Sequence, residues 1–576
     1  MLLGAVTLLW LIVINTGEFG TDDTDLRLRM AHAWWSGASE VSPNVMPPIS
    51  REDTDQGVPG AHGKRYIAYD PGQALLMLPG DWLASKMDHR LEGAERKGFR
   101  TPFVNWIVFV PLNLALVLSG FALMRLFGFG EALAAVSSLA WLLGTTVLPY
   151  AQTAFQNNQV LLFVLLAHAA ILAWLKKPRL LFAALSGAAC GAALLMRTTS
   201  VIHLFTTGLF LLVCLFIARS GWRESSRVLG YWLLGLAPFV VFGRIFDYLR
   251  YGSLWTTGQS QWIRQIGSDP RFAGLPQLPP HFPFTNEPHV GVLGVLFSSA
   301  KSIFIYDPLL LPCLIVGFAA WRQLTPQLRC YAALAVLNLV LHIALTSRLD
   351  FWHGDWAWAA RYHLTSVDLL LVALIPVTLR RALAPADLKA WLLRGAIGCA
   401  IAVQLLAVSM PTGVEMEMEV LRNPSYCARE TWNYPRYFRL GERARNLYCL
   451  ATHSSSPQCP AAVAARPPPG SVCVPHIEGL KEANRLAFFP FDPTLDSRSA
   501  SWARVLWGAA LLLALASTGA WFYSAWRRRP LMVRRNRGGD GARRTGLAPA
   551  RGQSPSTLAQ RSLKQPVGRL AGHGDE

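Results

Sequence analysis

The chain has 576 residues, 52% of them hydrophobic and 15% charged, with a formal net charge of +19. A soluble globular protein carries nearer a quarter charged residues, so charge has been withheld from long contiguous stretches and an ordinary soluble enzyme is excluded. The placement of the charge argues against nucleic-acid binding: residues 527–576 hold twelve Lys/Arg against three Asp/Glu, and most other cations sit in short loops between apolar runs.

The first apolar run, Leu2–Ile14, is short and has no basic residue ahead of it; it reads as an uncleaved anchor, after which the chain is translocated. Residues 15–102 then form a long polar segment. Near its start, Thr21-Asp22-Asp23-Thr24-Asp25-Leu26-Arg27 places three carboxylates within four positions. They repel one another, so at least one is expected to hold a raised pKa unless a cation compensates. A carboxylate at a membrane face suits general-base work on an acceptor hydroxyl, or the holding of a divalent cation such as Mg or Mn beside a phosphate. An N-cap ahead of a helix beginning near Leu26 accounts for one of the three acids. Further along, Lys64-Arg65-Tyr66 and Tyr69-Asp70-Pro71-Gly72-Gln73-Ala74 lead into an apolar segment of about ten residues, too short to span and therefore expected to be re-entrant or interfacial.

Eleven more apolar runs follow, at 103–127, 132–150, 160–175, 180–196, 201–217, 228–246, 303–321, 331–345, 364–379, 391–408 and 503–526. A spanning helix needs about 20 apolar residues, so the pattern predicts an all-α polytopic membrane protein with about twelve transmembrane helices. Short basic loops (176–179, 219–227, 322–329, 380–389 and the Arg527 cluster) alternate with the longer segments 15–102, 247–300, 347–362 and 411–502. The positive-inside rule puts the basic loops and both termini in the cytoplasm and the long segments on the exported face of a plasma (inner) membrane. The implied organisation is a transmembrane catalytic-type domain (1–410), a small exported segment (411–502), a last span (503–526) and a basic, disordered cytoplasmic tail (527–576).

Five cysteines (Cys190, Cys214, Cys313, Cys330, Cys399) fall in or beside spans, whereas Cys427, Cys449, Cys459 and Cys473 all lie in segment 411–502. An even number in an oxidising compartment points to two disulfides, with three pairings open; no close Cys pair supports a metal site. Mid-span ionisable groups are few. His168, His342 and Asp368 are the candidates, and each reads as a satisfied structural group. With polar chemistry gathered at span ends, an enzyme at the exported surface is favoured over a transporter, flippase or envelope assembly component, and no internal repeat supports a carrier.

The order of motifs resembles the GT-C class of integral-membrane glycosyltransferases, which includes dolichyl-phosphate-mannose protein mannosyltransferases and bacterial lipid A aminoarabinose transferases. The resemblance rests on Asp23-Thr24-Asp25-Leu26-Arg27 and Tyr69-Asp70-Pro71-Gly72-Gln73-Ala74. It extends through Gly144-Thr145-Thr146-Val147-Leu148-Pro149-Tyr150-Ala151, Arg250-Tyr251-Gly252-Ser253 and Phe304-Ile305-Tyr306-Asp307-Pro308. It ends on Trp352-His353-Gly354-Asp355-Trp356 with Ala360-Arg361-Tyr362. Two departures stand out: Phe155-Gln156-Asn157-Asn158-Gln159 lacks an acid or His, and residues 410–502 match nothing in the family.

The resemblance implies transfer of one sugar from a polyprenyl-phosphate donor to a glycan, lipid or protein acceptor, with inversion. Asp23 is expected to be the base, with Asp25 and Asp22 behind it. Arg361, Arg250, Lys301, Arg197 and Arg348, all at exported span ends, are candidates for the donor phosphate. Tyr69, Trp352, Trp356 and Tyr362 are candidates for substrate contact, although an aromatic belt explains the tryptophans equally well. A polymerase or ligase using a lipid-pyrophosphate glycan shares much of this logic.

Overall fold

The computed structural model describes residues 2–41, 57–88, 98–268, 281, 283–354, 357–384, 387–422, 438–465 and 474–527. Eight helices among them are long and apolar enough to cross a membrane: Arg100–Leu126, Asn157–Lys176, Thr198–Ile217, Trp222–Tyr251, Pro326–Thr346, Arg361–Ala382, Leu388–Ser409 and Ser497–Ala525. Shorter apolar helices cover Leu2–Ile14, Glu131–Gly144, Leu180–Met196, Pro288–Phe297 and Leu310–Ala319. Every apolar run of the sequence carries a helix, and Pro288–Phe297 is one that the runs do not mark. The protein is an all-α polytopic membrane protein. The strands described are a two-stranded antiparallel ribbon in which Gly57 pairs with Ile67 and Pro59 with Arg65.

Helix Arg361–Ala382 is the axis of the bundle. It is buried along nearly its whole length and packs against Glu131–Gly144, Asn157–Lys176, Leu310–Ala319, Pro326–Thr346 and Leu388–Ser409. Outer helices turn side chains such as Phe216, Leu234 and Phe318 outward, as a bilayer in place of water allows. His168 and His342 are satisfied within the bundle, bonding the carbonyls of Val164 (2.8 Å) and Asn338 (3.0 Å).

Two expected spans are broken, and the two breaks meet. The run 132–150 divides at Thr145 into Glu131–Gly144 and Val147–Gln152, and the run 303–321 divides at Asp307 into Ile303–Tyr306 and Leu310–Ala319. Pro308 disfavours helical geometry at Asp307. The freed carboxylate takes the Thr146 backbone N–H (2.7 Å) and the Thr146 hydroxyl (3.0 Å), so the polar groups released at one break are satisfied by the other.

The helix that carries the acids begins at Asp22 rather than near Leu26, so Asp22, Asp23 and Asp25 occupy its first turn, where the helix dipole favours negative charge. It ends on Gly37, left-handed at φ 75°. The apolar segment after Tyr69 is also longer than expected: it forms Gly72–Asp88, a 17-residue helix that buries Asp81 against His32, Trp35 and Arg100. Gly72 opens that helix against the Leu195 backbone, where an added Cβ would sit 2.6 Å from the carbonyl; only glycine permits the approach.

In segment 411–502 the described helices include Gly413–Arg422, Arg439–Thr452 and Val474–Ala483, and Cys449 is joined to Cys459. Cys427 and Cys473 lie outside the described residues. Of the three pairings open to four cysteines, the one containing this bridge leaves Cys427 for Cys473. Non-reducing peptide mapping is therefore expected to return both cross-links, and a peptide joining Cys449 or Cys459 to either of the others would overturn it.

Candidate active site

The site forms where the Asp22–Ser36 helix meets the N-terminus of Arg361–Ala382. Period 3.6 puts Asp23 and Arg27 on one face of the acidic helix, and Asp22, Asp25 and Arg29 on another. Thr24 and Gln73 fix the registration: the Thr24 hydroxyl (2.9 Å) and the Gln73 amide (2.6 Å) both donate to the Ala154 carbonyl. One acceptor thus ties the acid-bearing helix and the loop carrying Tyr69 to the same point of the bundle.

Asp23 is half-buried. Its Oδ1 accepts from the Tyr69 hydroxyl at 2.7 Å, and its Oδ2 faces the Arg361 guanidinium at 3.5 Å. Arg27 lies over the Tyr69 ring, 4.0 Å from its centroid. Arg361 lies over Tyr362 (5.2 Å) and Phe155 (5.4 Å), and Arg197 lies 5.8 Å from the Tyr362 ring centroid. Burial alone would raise the Asp23 pKa, but Arg27, Arg361, the Tyr69 hydrogen bond and Arg197 together outweigh it and hold the carboxyl below its ordinary value. Burial, then the charge of Asp23, pushes the Tyr69 phenol up, so it stays a neutral donor. Asp70 is also raised by burial, against hydrogen bonds from the Thr198 N–H (3.0 Å) and hydroxyl (3.1 Å).

Asp22 and Asp25 do not join this cluster. They line a separate half-open cleft of about 530 Å³ with Arg29, Gly98, Arg100 and Thr101. Burial, then the neighbouring Asp22, raises Asp25 to about 6. The raised acid expected of the triplet is therefore Asp25, while Asp23 has found its compensating cations.

The other cations have separate places. Arg250 is buried in an ion pair with Glu40, donates to the Ile67 carbonyl (3.0 Å) and packs on Tyr66 and Phe246, fastening the ribbon to the end of Trp222–Tyr251. Lys301 donates to the carbonyls of Ala357 (2.8 Å) and Ala359 (3.2 Å). Arg348 is exposed, with a 3.5 Å contact to the Phe284 carbonyl. Trp352 is buried against Gly294, where any Cβ would strike its ring at 2.1 Å, and it lies apart from the Asp23 cluster's hydrogen bonds and ring contacts described above. Trp356 lies outside the described residues. The amide-rich stretch that departs from the family pattern is structural: Asn157 donates to the Arg361 carbonyl (2.6 Å) and Asn158 to Asn113 (2.9 Å).

The sequence reading misses Arg27. Its signals are its place at the end of the Asp23-Thr24-Asp25-Leu26-Arg27 motif and its four-residue spacing from Asp23, on a helix whose start is misplaced by four residues. Arg27 is 4% exposed, and its Nε has no hydrogen-bond partner.

A divalent cation does not suit this donor set. The Asp23 carboxylate faces guanidinium groups rather than a second carboxylate, and no group of three or more His, Cys, Asp or Glu among the described residues converges to hold a metal.

No protein-family model and no curated protein matches the sequence. The solved structures that align with it include two glycan-transfer proteins. One is ArnT from Cupriavidus metallidurans bound to undecaprenyl phosphate, at 15% identity and TM-score 0.40, over 92% of this chain and 78% of that one. The other is the archaeal oligosaccharyltransferase AglB from Archaeoglobus fulgidus, in complex with an inhibitory peptide and a dolichol-phosphate. It aligns at 12% identity and TM-score 0.39, over 73% of this chain. The chain spans 57% of the length of AglB.

Proposed function

We propose that the protein is a glycosyltransferase that moves one sugar from a polyprenyl-phosphate donor to a cell-envelope acceptor on the exported face, with Asp23 as general base. The observation that carries this reading is one carboxylate set among three guanidinium groups, Arg27, Arg197 and Arg361, in a half-buried site at the ends of spans. Three positive charges against one negative favour an anion, and planar guanidinium forks match phosphate oxygens. At the end of a span, a lipid-borne phosphate reaches such a site without leaving the bilayer.

The same charges regulate the base. In the free protein the arginines hold Asp23 ionised but weakly basic. A donor phosphate competes for those guanidinium groups and loosens their grip on Asp23, so its basicity rises when the donor is in place. The acceptor hydroxyl gives its proton to Asp23 as its oxygen attacks C1 of the sugar; the C1–O bond to phosphate breaks, and the leaving phosphate takes the charge toward the arginines. Because a single displacement needs one base and no enzyme nucleophile, the sugar inverts.

The test is purified protein in lipid nanodiscs, offered a panel of polyprenyl-phosphate sugars, with release of polyprenyl phosphate as the readout. Turnover of at least one donor is expected. Failure of every donor, together with no measurable binding of undecaprenyl phosphate, would sink the reading.

A further inference from the structure

Arg361 hangs from an unusual turn. Ala357–Ala360 is fully enclosed, and Ala359 holds φ 56°, a left-handed conformation that an alanine keeps only where its surroundings over-determine it. Donors from three separate parts of the chain supply that constraint. The Tyr150 hydroxyl bonds the Trp358 carbonyl (2.8 Å), Lys301 bonds those of Ala357 and Ala359, and Arg439 bonds that of Ala357 (2.9 Å).

Arg439 comes from segment 411–502, in which the sequence shows none of the motifs that carry the resemblance. Its guanidinium lies 5.2 Å from the Trp358 ring centroid, beside that of Arg443 at 5.3 Å. Arg443 is itself fully buried, paired with Glu415 and donating to the carbonyls of Ala407 (2.6 Å) and Met410 (2.5 Å) at the end of Leu388–Ser409. Glu415 also faces Arg439 at 3.6 Å. The Arg439–Thr452 helix is closed at its other end by the Cys449–Cys459 bridge. A braced helix therefore presses one arginine onto the turn that aims Arg361.

We propose that Arg439 is a positioning residue for Arg361, and that segment 411–502 completes the phosphate site through it; this rests on the reading of Arg361 as a donor-phosphate ligand. Simple glue between segments would explain the burial of Arg443. It would not require a donor placed on the carbonyl four residues before Arg361, in a turn already held from two other sides. Losing that donor lets Ala359 relax toward an ordinary conformation and swings Arg361 away from Asp23.

The experiment is titration of the full-length purified protein with undecaprenyl phosphate, for wild type, R439Q, R439K, R361Q and the double variant R439Q/R361Q. Arg439→Gln is expected to weaken binding about tenfold and Arg439→Lys, which keeps a donor, by no more than about twofold. In the Arg361→Gln background, Arg439→Gln should cost nothing further, because its effect passes through the missing side chain. Unchanged binding in R439Q, or an undiminished effect in the R361Q background, overturns the proposal. Arg439→Met, which keeps the aliphatic stem against Trp358, is read in the same way if R439Q does not accumulate. Should R361Q bind as tightly as wild type, the donor-phosphate reading fails first; a weakened R361Q beside a normal R439Q removes the positioning inference alone.

Discussion

Asp23→Asn is expected to cut sugar transfer by about 10³-fold while leaving undecaprenyl phosphate bound at least as tightly as in wild type. The amide keeps the size of the side chain and an acceptor for the Tyr69 hydroxyl but cannot take a proton. Removing a negative charge from among Arg27, Arg197 and Arg361 also improves the site for an anion. Loss of turnover with retained or tightened binding separates a base from a structural acid, since an unfolded variant loses both. Asp25→Asn is the matched control: its carboxyl lines the neighbouring cleft, and turnover should stay near wild type.

The pH profile distinguishes the two acids without mutation. Asp23 is held below its ordinary value of 3.8, and its ionised form is the active one. The acid limb of kcat/KM, which reports the free enzyme, therefore lies below 3.8, and this group leaves the rate level through the neutral range. The limb of kcat should lie higher, because bound phosphate draws the arginines away. Were Asp25 the base, kcat/KM would fall to half at about pH 6. The stability linkage has the same sign: a depressed carboxyl stabilises the fold above its ordinary value and loses that contribution as pH falls through the folded one.

Much of the architecture was legible because a bilayer selects apolar stretches of about 20 residues; every run carries a helix, although among the described residues eight are long and apolar enough to cross. What hydropathy does not mark is where a helix must break. The breaks at Thr145 and Asp307 leave mean apolarity untouched, and they become necessary only when Asp307 meets Thr146, 161 positions away. The site divided in a similar way. Asp23, Tyr69, Arg197, Arg361 and Tyr362, each singled out in the sequence, come together in the structure. Arg250 and Trp352 were singled out too, but their partners, Glu40 and Gly294, come from remote segments and carry no local signature. Arg27 escaped for a smaller reason: it closes the Asp23–Arg27 motif, but with the helix assumed to begin near Leu26 nothing put the two side chains on one face. The contribution of segment 411–502 lay beyond the sequence for another reason: no motif there marks Arg439, and its partner Ala357 lies 82 positions away.

Arg27 is also where removal of a single charge should do most to the donor site. Arg27→Gln is expected to weaken undecaprenyl phosphate binding by about 2–5 kcal/mol, the range measured when one member of a buried charge pair is truncated. Two losses combine. A buried cation with an unpartnered Nε no longer meets the phosphate, and the ring of Tyr69 loses the guanidinium that covers it. Since Arg27 is the strongest of the charges that lower Asp23, the acid limb of kcat/KM should also move upward in this variant. Arg27→Lys keeps the charge but lacks the flat fork that lies against Tyr69, so it should recover the pH limb more fully than the affinity. A destabilised fold gives a different pattern, because Asp23 retains Arg361 and Arg197 in either case. Adding Asp23→Asn to Arg27→Gln would then restore stability without restoring binding, whereas wild-type affinity in Arg27→Gln would remove Arg27 from the phosphate site altogether.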